Sequence, residues 1–191
     1  MNTKNIQLTD GLILLRPPRP EDVPALTEAV RESLAELQPW MDWATEAYDE
    51  AAAQRWLEFV QQYWEHATGF QFAITDAASG QYLGNCGVDG INPKYRFCNL
   101  GYWVRTSRTG QGIASRAARL AARFAFETAG LVRAELVIAK ENIPSQRAAQ
   151  KAGAHYEGIL LNRMVVRTEV FDAVMYSLTP TDFKDLPGQG D

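Results

Sequence analysis

The chain is poor in the residues that most often bind metals or form disulfides. Its 191 residues include only two cysteines, Cys86 and Cys98, and two histidines, His66 and His155. No pair among them has CxxC or metal-ligand spacing, so neither a metal centre nor a disulfide framework is expected. Free thiols suit a reducing cytosol, which points to a cytoplasmic location. Long apolar runs are missing as well. LILL at 12–15 is too short for the apolar region of a signal peptide, and no stretch approaches the ~20 apolar residues of a membrane helix. Positive charge is not in excess, with 19 Lys and Arg against 23 Asp and Glu and a net charge of −4. Surfaces that bind nucleic acid are usually basic, so a direct nucleic-acid partner is disfavoured.

What is present is ordinary globular material, 46% apolar and 22% charged, in a length that suits one domain with a good core. One domain is expected over residues 1–180, with a flexible polar tail at 181–191.

Periodicity divides the chain. LILLR at 12–16 reads as a buried strand stopped by Pro17, Pro18 and Pro20. Residues 20–38 carry Val23, Leu26, Val30, Leu34 and Leu37 at helical spacing, and a second helix follows over about 50–66. From residue 70 the period becomes two. Strands at 70–75, 82–91 and 97–104, joined by short turns, form an antiparallel meander. An Ala-rich helix over 111–128 buries Ile113, Ala117, Leu120, Ala121 and Phe124 and ends at Gly130. A strand at 133–139, a short helix near 143–152 and strands near 156–166 and 169–178 complete a mixed α/β order of seven strands and four helices.

Chemistry enters at RTGQGIAS, residues 108–115, between the strand ending at Val104 and the Ala-rich helix. Helix N-termini expose unpaired N–H groups and partial positive charge, which favours an anion. Gly110 and Gly112 let a phosphate approach the backbone, Ala114 stays small, Ser115 adds a hydroxyl, and Arg105 and Arg108 bring positive charge. Neither GxGxxG nor GKS/GKT occurs, so the common nucleotide loops do not fit.

With these residues in place the sequence resembles the GNAT acetyltransferase superfamily. That family's pyrophosphate loop falls here on Thr109, Gly110, Gln111, Gly112, Ile113 and Ala114, with Thr109 where Gln or Arg is usual. The resemblance narrows to the RimJ/RimL-like branch, which acetylates protein N-termini. It is carried by LRPPRPEDVPAL (15–26), LQPWMDW (37–43), LGYWV (100–104), NIPSQRAAQKAGAHYEGIL (142–160) and FDAVMYSL (171–178). It implies a mostly antiparallel sheet splayed at the cofactor site, acetyl-CoA as acyl donor, a protein or peptide amine as acceptor, and room for a homodimer.

The resemblance also implies roles. Backbone groups of Trp103, Val104 and Arg105 would hold the pantetheine arm, with an N–H near Val104 polarising the thioester carbonyl. Asn142 would cap the distal helix or contact the cofactor. The tyrosine acid of many relatives would fall on Ala149, so Ser145, one turn earlier, is the group expected to hydrogen-bond the leaving sulfur. A glutamate frequent in relatives is Asn99 here, which leaves Asp89 and Glu141 as candidate bases. Trp40, Trp43, Tyr48, Phe171 and Asp172 are expected around the acceptor amine. A small-amine or antibiotic acetyltransferase and a non-catalytic CoA-binding sensor are the rival readings.

Overall fold

The computed structural model describes residues 6–183. In chain order the elements are β1 (Leu8–Thr9), β2 (Ile13–Arg16), α1 (Val23–Glu32), α2 (Leu34–Leu37), α3 (Glu50–His66), β3 (Phe70–Asp76), β4 (Tyr82–Asn92) and β5 (Phe97–Val104). They continue with α4 (Ile113–Glu127), β6 (Arg133–Ala139), α5 (Ile143–Lys151), β7 (His155–Val166) and β8 (Glu169–Leu178). One mixed α/β sheet of eight strands runs β1-β2-β3-β4-β5-β6-β8-β7. Every neighbouring pair is antiparallel except β5 with β6.

Three expectations change. The sheet has an eighth strand because Leu8 and Thr9 pair with Leu15 and Leu14, too short a segment for alternation to reveal. The helix expected over 20–38 is split into a 3-10 turn at Pro20–Asp22, α1 and α2. The break falls at Ser33, whose hydroxyl donates to Ala29 O at 2.7 Å and accepts the Thr106 N–H at 3.0 Å. A side chain that competes for backbone partners is a poor helix interior residue, and here it ties the helix end to the segment after β5. The first residues of the expected tail, 181–183, join Pro180 in a 3-10 turn (Pro180–Phe183) in which Asp182 meets His155 Nε2 at 2.6 Å; residues 184–191 lie outside the described residues.

Two apolar clusters sandwich the sheet. On one face α4 lays Ile113, Ala117, Ala121 and Phe124 against Phe72, Leu100 and Leu136. Its alanines allow close approach, and Phe124 meets the rings of Phe70, Phe72 and Trp64 edge-on or tilted at 5.1, 5.2 and 5.9 Å. Truncating such a ring to Ala typically costs about 3–5 kcal/mol. On the other face α1 packs Val23, Leu26 and Val30 with Leu37, Tyr48, Tyr82 and Trp103. Strand alternation therefore divides β5: Cys98, Leu100, Tyr102 and Val104 face α4, and Asn99, Gly101 and Trp103 face the other way.

Candidate active site

The site begins where β5 and β6 separate. Their parallel pairing covers only Phe97↔Arg133, Cys98↔Ala134 and Asn99↔Glu135. Beyond it β5 stays with β4 as far as Gly84↔Val104, while β6 stays with β8 as far as Ala139↔Ala173. A bulge contributes to the parting: β3–β4 pairing steps from Ile74↔Gly84 to Thr75↔Tyr82, leaving Leu83 as the extra residue. A bulged strand bends and twists more strongly, and β5 follows β4. Only glycine fits at position 84, because φ is +146° and a Cβ there would come 2.1 Å from Trp103 O.

Ladder parity decides which backbone groups face the opening. Arg105 N donates to Leu83 O at 2.8 Å, so that pair looks inward to β4. Alternation then points the N–H and C=O of Val104 and Tyr102 away from β4, into the space β6 has left. Of the three backbones expected to hold an extended arm, Val104 faces the gap, while the Trp103 carbonyl and the Arg105 amide face β4.

At the end of the gap lies the glycine loop. Thr106–Arg108 make a 3-10 turn, Gly110 and Gly112 adopt φ of +74° and +78°, and α4 starts at Ile113. Ile113 is buried and anchors the helix start, whereas Ala114 is only partly covered. Arg116 N donates to Gly112 O at 3.2 Å. The backbone amides from Gly110 to Ser115 find no protein acceptor among the described residues. Ser115 Oγ donates back to Gly112 O at 2.8 Å, so its proton stiffens the turn. Thr109 Oγ1 likewise donates to Thr106 O at 2.9 Å.

The two arginines expected beside the loop have other partners. Arg105 is buried, bonded to Glu28 at 2.6 Å and to Glu32 through Nε at 2.9 Å, and it holds the Glu32 carboxyl down at about 2. Arg108 bonds Gln81 at 2.5 Å, Asp76 at 3.2 Å and Gln111 Oε1 at 3.2 Å, bracing the loop against the β3–β4 turn. The cation beside the free amides is instead Lys151, at the end of α5. A methyl group on Gly112 would come 3.2 Å from its Nζ. Nothing in the local sequence marked it, since α5 reaches the loop only through tertiary packing.

Along the α4 face of the gap, Asn142 Oδ1 accepts Ser145 N at 3.1 Å and caps α5. Ser145 is half-buried, and both its oxygens meet one phenol. Tyr102 OH donates to Ser145 O at 2.9 Å, and Ser145 Oγ lies 3.4 Å from Tyr102 OH. Burial pushes the Tyr102 phenol up to about 12. Ala149 is fully buried, and Glu141 is exposed in the turn before α5.

The opposite face of the fork holds Asp89, paired across the strands with Asn99. It accepts from Asn99 Nδ2 at 3.1 Å and Gln71 Nε2 at 3.3 Å, and burial raises its pKa above the usual carboxylate value. A cavity of about 380 Å³ opens beside it, lined by Gly90, Phe97, Asn99, Glu135, Val137, Arg163 and Met164. The expected acceptor aromatics lie outside this lining and form two groups. Trp43 meets Tyr48 at 5.8 Å and Trp103 at 6.0 Å, and Trp40 meets Phe171 at 6.1 Å. The Asp172 carboxylate accepts the Asn162 N–H at 3.0 Å. Arg167, in the β7–β8 turn, bonds Asp42 and, at 3.2 Å, Ala44 O, which fastens that hairpin to the Trp40–Trp43 segment. The thiols of Cys86 and Cys98 are buried and pushed up by burial, which makes them inert as nucleophiles.

Comparison with known proteins agrees with this architecture. The uncharacterized N-acetyltransferase p20 of Bacillus licheniformis is 25% identical over 113 residues, 59% of this chain and 64% of that protein, so the match spans less than two thirds of this relative's length. Among solved structures, a candidate ribosomal-protein-serine acetyltransferase from Vibrio cholerae superposes with a TM-score of 0.82 at 25% identity, covering 93% of this chain and 99% of that one. RimJ of Mycobacterium smegmatis, solved with CoA-disulfide, does so with a TM-score of 0.82 at 24% identity, covering 94% and 88%. The acetyltransferase (GNAT) domain family matches residues 13–155, most of the chain, including β5, the glycine loop and Ser145. The chain therefore belongs to the GNAT acetyltransferase family.

Proposed function

We propose that the chain transfers an acetyl group from acetyl-CoA to a primary amine, the N-terminal α-amine of a protein or peptide, by direct attack. The observation that carries the reading is the alignment of two unsatisfied donor sets. The gap-facing N–H of Val104 and the free amides from Gly110 to Ser115 lie at successive points along one opening.

The residues present fit acetyl-CoA. The amides of Gly110, Gln111, Gly112, Ile113, Ala114 and Ser115 suit a pyrophosphate, which prefers a helix N-terminus, and Lys151 adds a cation there. Arg105, Arg108 and Thr109 shape the loop through their own hydrogen bonds. Acetyl-CoA brings an activated thioester. The Val104 N–H is positioned to receive the negative charge that grows on the carbonyl oxygen, and a preorganised donor of this kind is worth several kcal/mol.

Two protons remain to be handled. Ser145 Oγ, on the α4 face of the gap, hydrogen-bonds the departing sulfur, which leaves as the thiolate and takes the second amine proton through water. Asp89, on the opposite face, accepts the proton that the attacking ammonium gives up, directly or through one water. Its raised pKa improves it as a base. Glu141 is exposed in the turn after β6, whereas Asp89 pairs with Asn99 where β5 and β6 part, so Asp89 is the better placed of the two. An α-amine of pKa about 7.7–8.0 is partly neutral at cellular pH, unlike a lysine near 10.4, so one partly buried carboxylate suffices for it. The Vibrio cholerae relative supports the same acceptor class. The row Trp43, Tyr48 and Trp103, with Trp40, Phe171 and Asp172 beyond it, forms the acceptor wall, and the cavity by Asp89 takes the amine.

A panel of N-terminal peptides, polyamines and aminoglycosides, incubated with acetyl-CoA while thiol release is followed, tests the assignment. Turnover restricted to peptides, with the acetyl group on the α-amine by mass spectrometry, is expected. Turnover restricted to polyamines or aminoglycosides would overturn the acceptor, and CoA binding without turnover on any amine would leave a sensor.

A further inference from the structure

Beyond residue 99, no backbone pairing joins β5 to β6. One side chain reaches from β5 to the element that follows β6. Tyr102 lies on β5 within the splayed stretch, and its phenol donates to the carbonyl of Ser145 in the first turn of α5 at 2.9 Å. The same oxygen receives Ser145 Oγ at 3.4 Å. A phenol has one proton, and here the Ser145 carbonyl takes it, so toward Ser145 Oγ the phenol acts as acceptor. Ser145 is thus held twice, through its backbone by a short bond and through its hydroxyl by a long, weak one. The weak bond sets the hydroxyl rotamer and breaks at little cost when a sulfur anion offers a better acceptor.

Packing leaves room for this device. Ala149, one turn along α5 from Ser145, is fully buried and has no polar group, so no hydroxyl on α5 competes at that position. Tyr102 is mostly buried, and its backbone faces the opening while its ring faces the α4 and α5 side.

We infer that Tyr102 is a positioning residue for acetyl transfer: its phenol crosses from β5 to the head of α5 and fixes Ser145 beside the gap that takes the thioester. This rests on the acetyltransferase reading above, and its tests are separable from it. Tyr102→Phe keeps the ring and removes both hydrogen bonds. With the best acceptor from the panel, kcat is expected to fall about tenfold while KM for acetyl-CoA and CoA affinity stay within twofold. Because part of the effect runs through the Ser145 hydroxyl, Tyr102→Phe should cost clearly less in a Ser145→Ala background, about threefold or under.

Equal losses in both backgrounds would show that Tyr102 acts independently of Ser145 and would overturn the inference. Unchanged kcat would do the same, as would a loss seen only in CoA affinity. If Tyr102→Phe unfolds, Tyr102→Met, which fills the space with a flexible apolar side chain and offers no hydrogen bond to Ser145, should show the same kcat-selective loss; wild-type kcat in that variant would refute the role. A wild-type chain that bound CoA yet acetylated no amine would remove the reaction itself, and this role with it.

Discussion

Asn99 Nδ2 donates to Asp89 Oδ1 at 3.1 Å across the β4–β5 ladder, at the last residue of β5 that still pairs with β6. The position of Asn99 carries an amide where a base would need a carboxylate. Here the carboxylate sits on the next strand, and the amide holds it facing the fork. Gln71 supplies the second donor at 3.3 Å.

Replacing that carboxylate should separate activity from stability. Asp89→Asn is expected to lower kcat at least tenfold at pH 7 and to flatten the acid limb of the pH–rate profile. Burial raises the folded pKa of Asp89, so the native state binds more protons than the unfolded chain between the two pKa values. Its contribution to stability therefore declines as pH rises through that window, and at pH 7 the ionised group is a cost. Thermal unfolding at pH 7 should show Asp89→Asn no less stable than the parent; a lower Tm would contradict the assignment of burial as the dominant influence.

Glu32 behaves in the opposite sense. Its bonds from Arg105 hold its carboxyl at about 2, below the model-compound value of 4.5. The stabilisation is fully present above the unfolded pKa and is lost as pH falls from about 4.5 through about 2. Glu32→Gln should cost on the order of 1–3 kcal/mol at pH 7 by urea unfolding, after allowance for solvent screening of a partly exposed pair. The difference between variant and parent should shrink as the pH is lowered toward 3. Glu32 also accepts the Ser107 N–H at 2.7 Å, so the variant should loosen the segment before the glycine loop and weaken CoA binding severalfold.

Lys151 gives a charge test. Lys151→Ala is expected to weaken CoA binding about three- to tenfold with Tm unchanged, and the loss should diminish in high salt. An affinity equal to wild type at low salt would remove Lys151 from the phosphate site.

Ser145→Ala should lower kcat about tenfold or more with CoA affinity nearly unchanged in calorimetry. Unchanged turnover would leave Ser145 with its backbone role at the start of α5, where its N–H is capped by Asn142.

The long periodic elements were legible in the sequence because each buries one face. The alternation at 70–75 and 97–104 and the stripe of α4 emerge as strands and helix. Motif order also located the glycine loop and Ser145 at one opening. Charge assignments were not legible. Arg105 and Arg108 lie next to the loop in sequence, yet their guanidiniums are taken by Glu28, Glu32 and Asp76, which a linear reading cannot bring together. Lys151 and Tyr102 reach the site from distant strands and helices. Tyr102 had one signal available: in LGYWV it alternates with Trp103, so the two rings must lie on opposite faces, one of them toward α5. The split at Ser33 was hidden because its cause is a hydrogen bond to Thr106, 73 residues away.

The central claim is that the β5–β6 opening and the amides at the head of α4 together hold an acyl-CoA. Calorimetric titration of acetyl-CoA into the purified chain, repeated with Gly112→Ala, tests it most directly. Gly112 has φ +78°, which alanine adopts only with strain, and an added methyl would face Lys151 Nζ. Saturable binding at one site, weakened at least tenfold by Gly112→Ala in a chain that still unfolds cooperatively, is the predicted result. Absence of binding to the wild-type chain, or equal affinity in the variant, would contradict it.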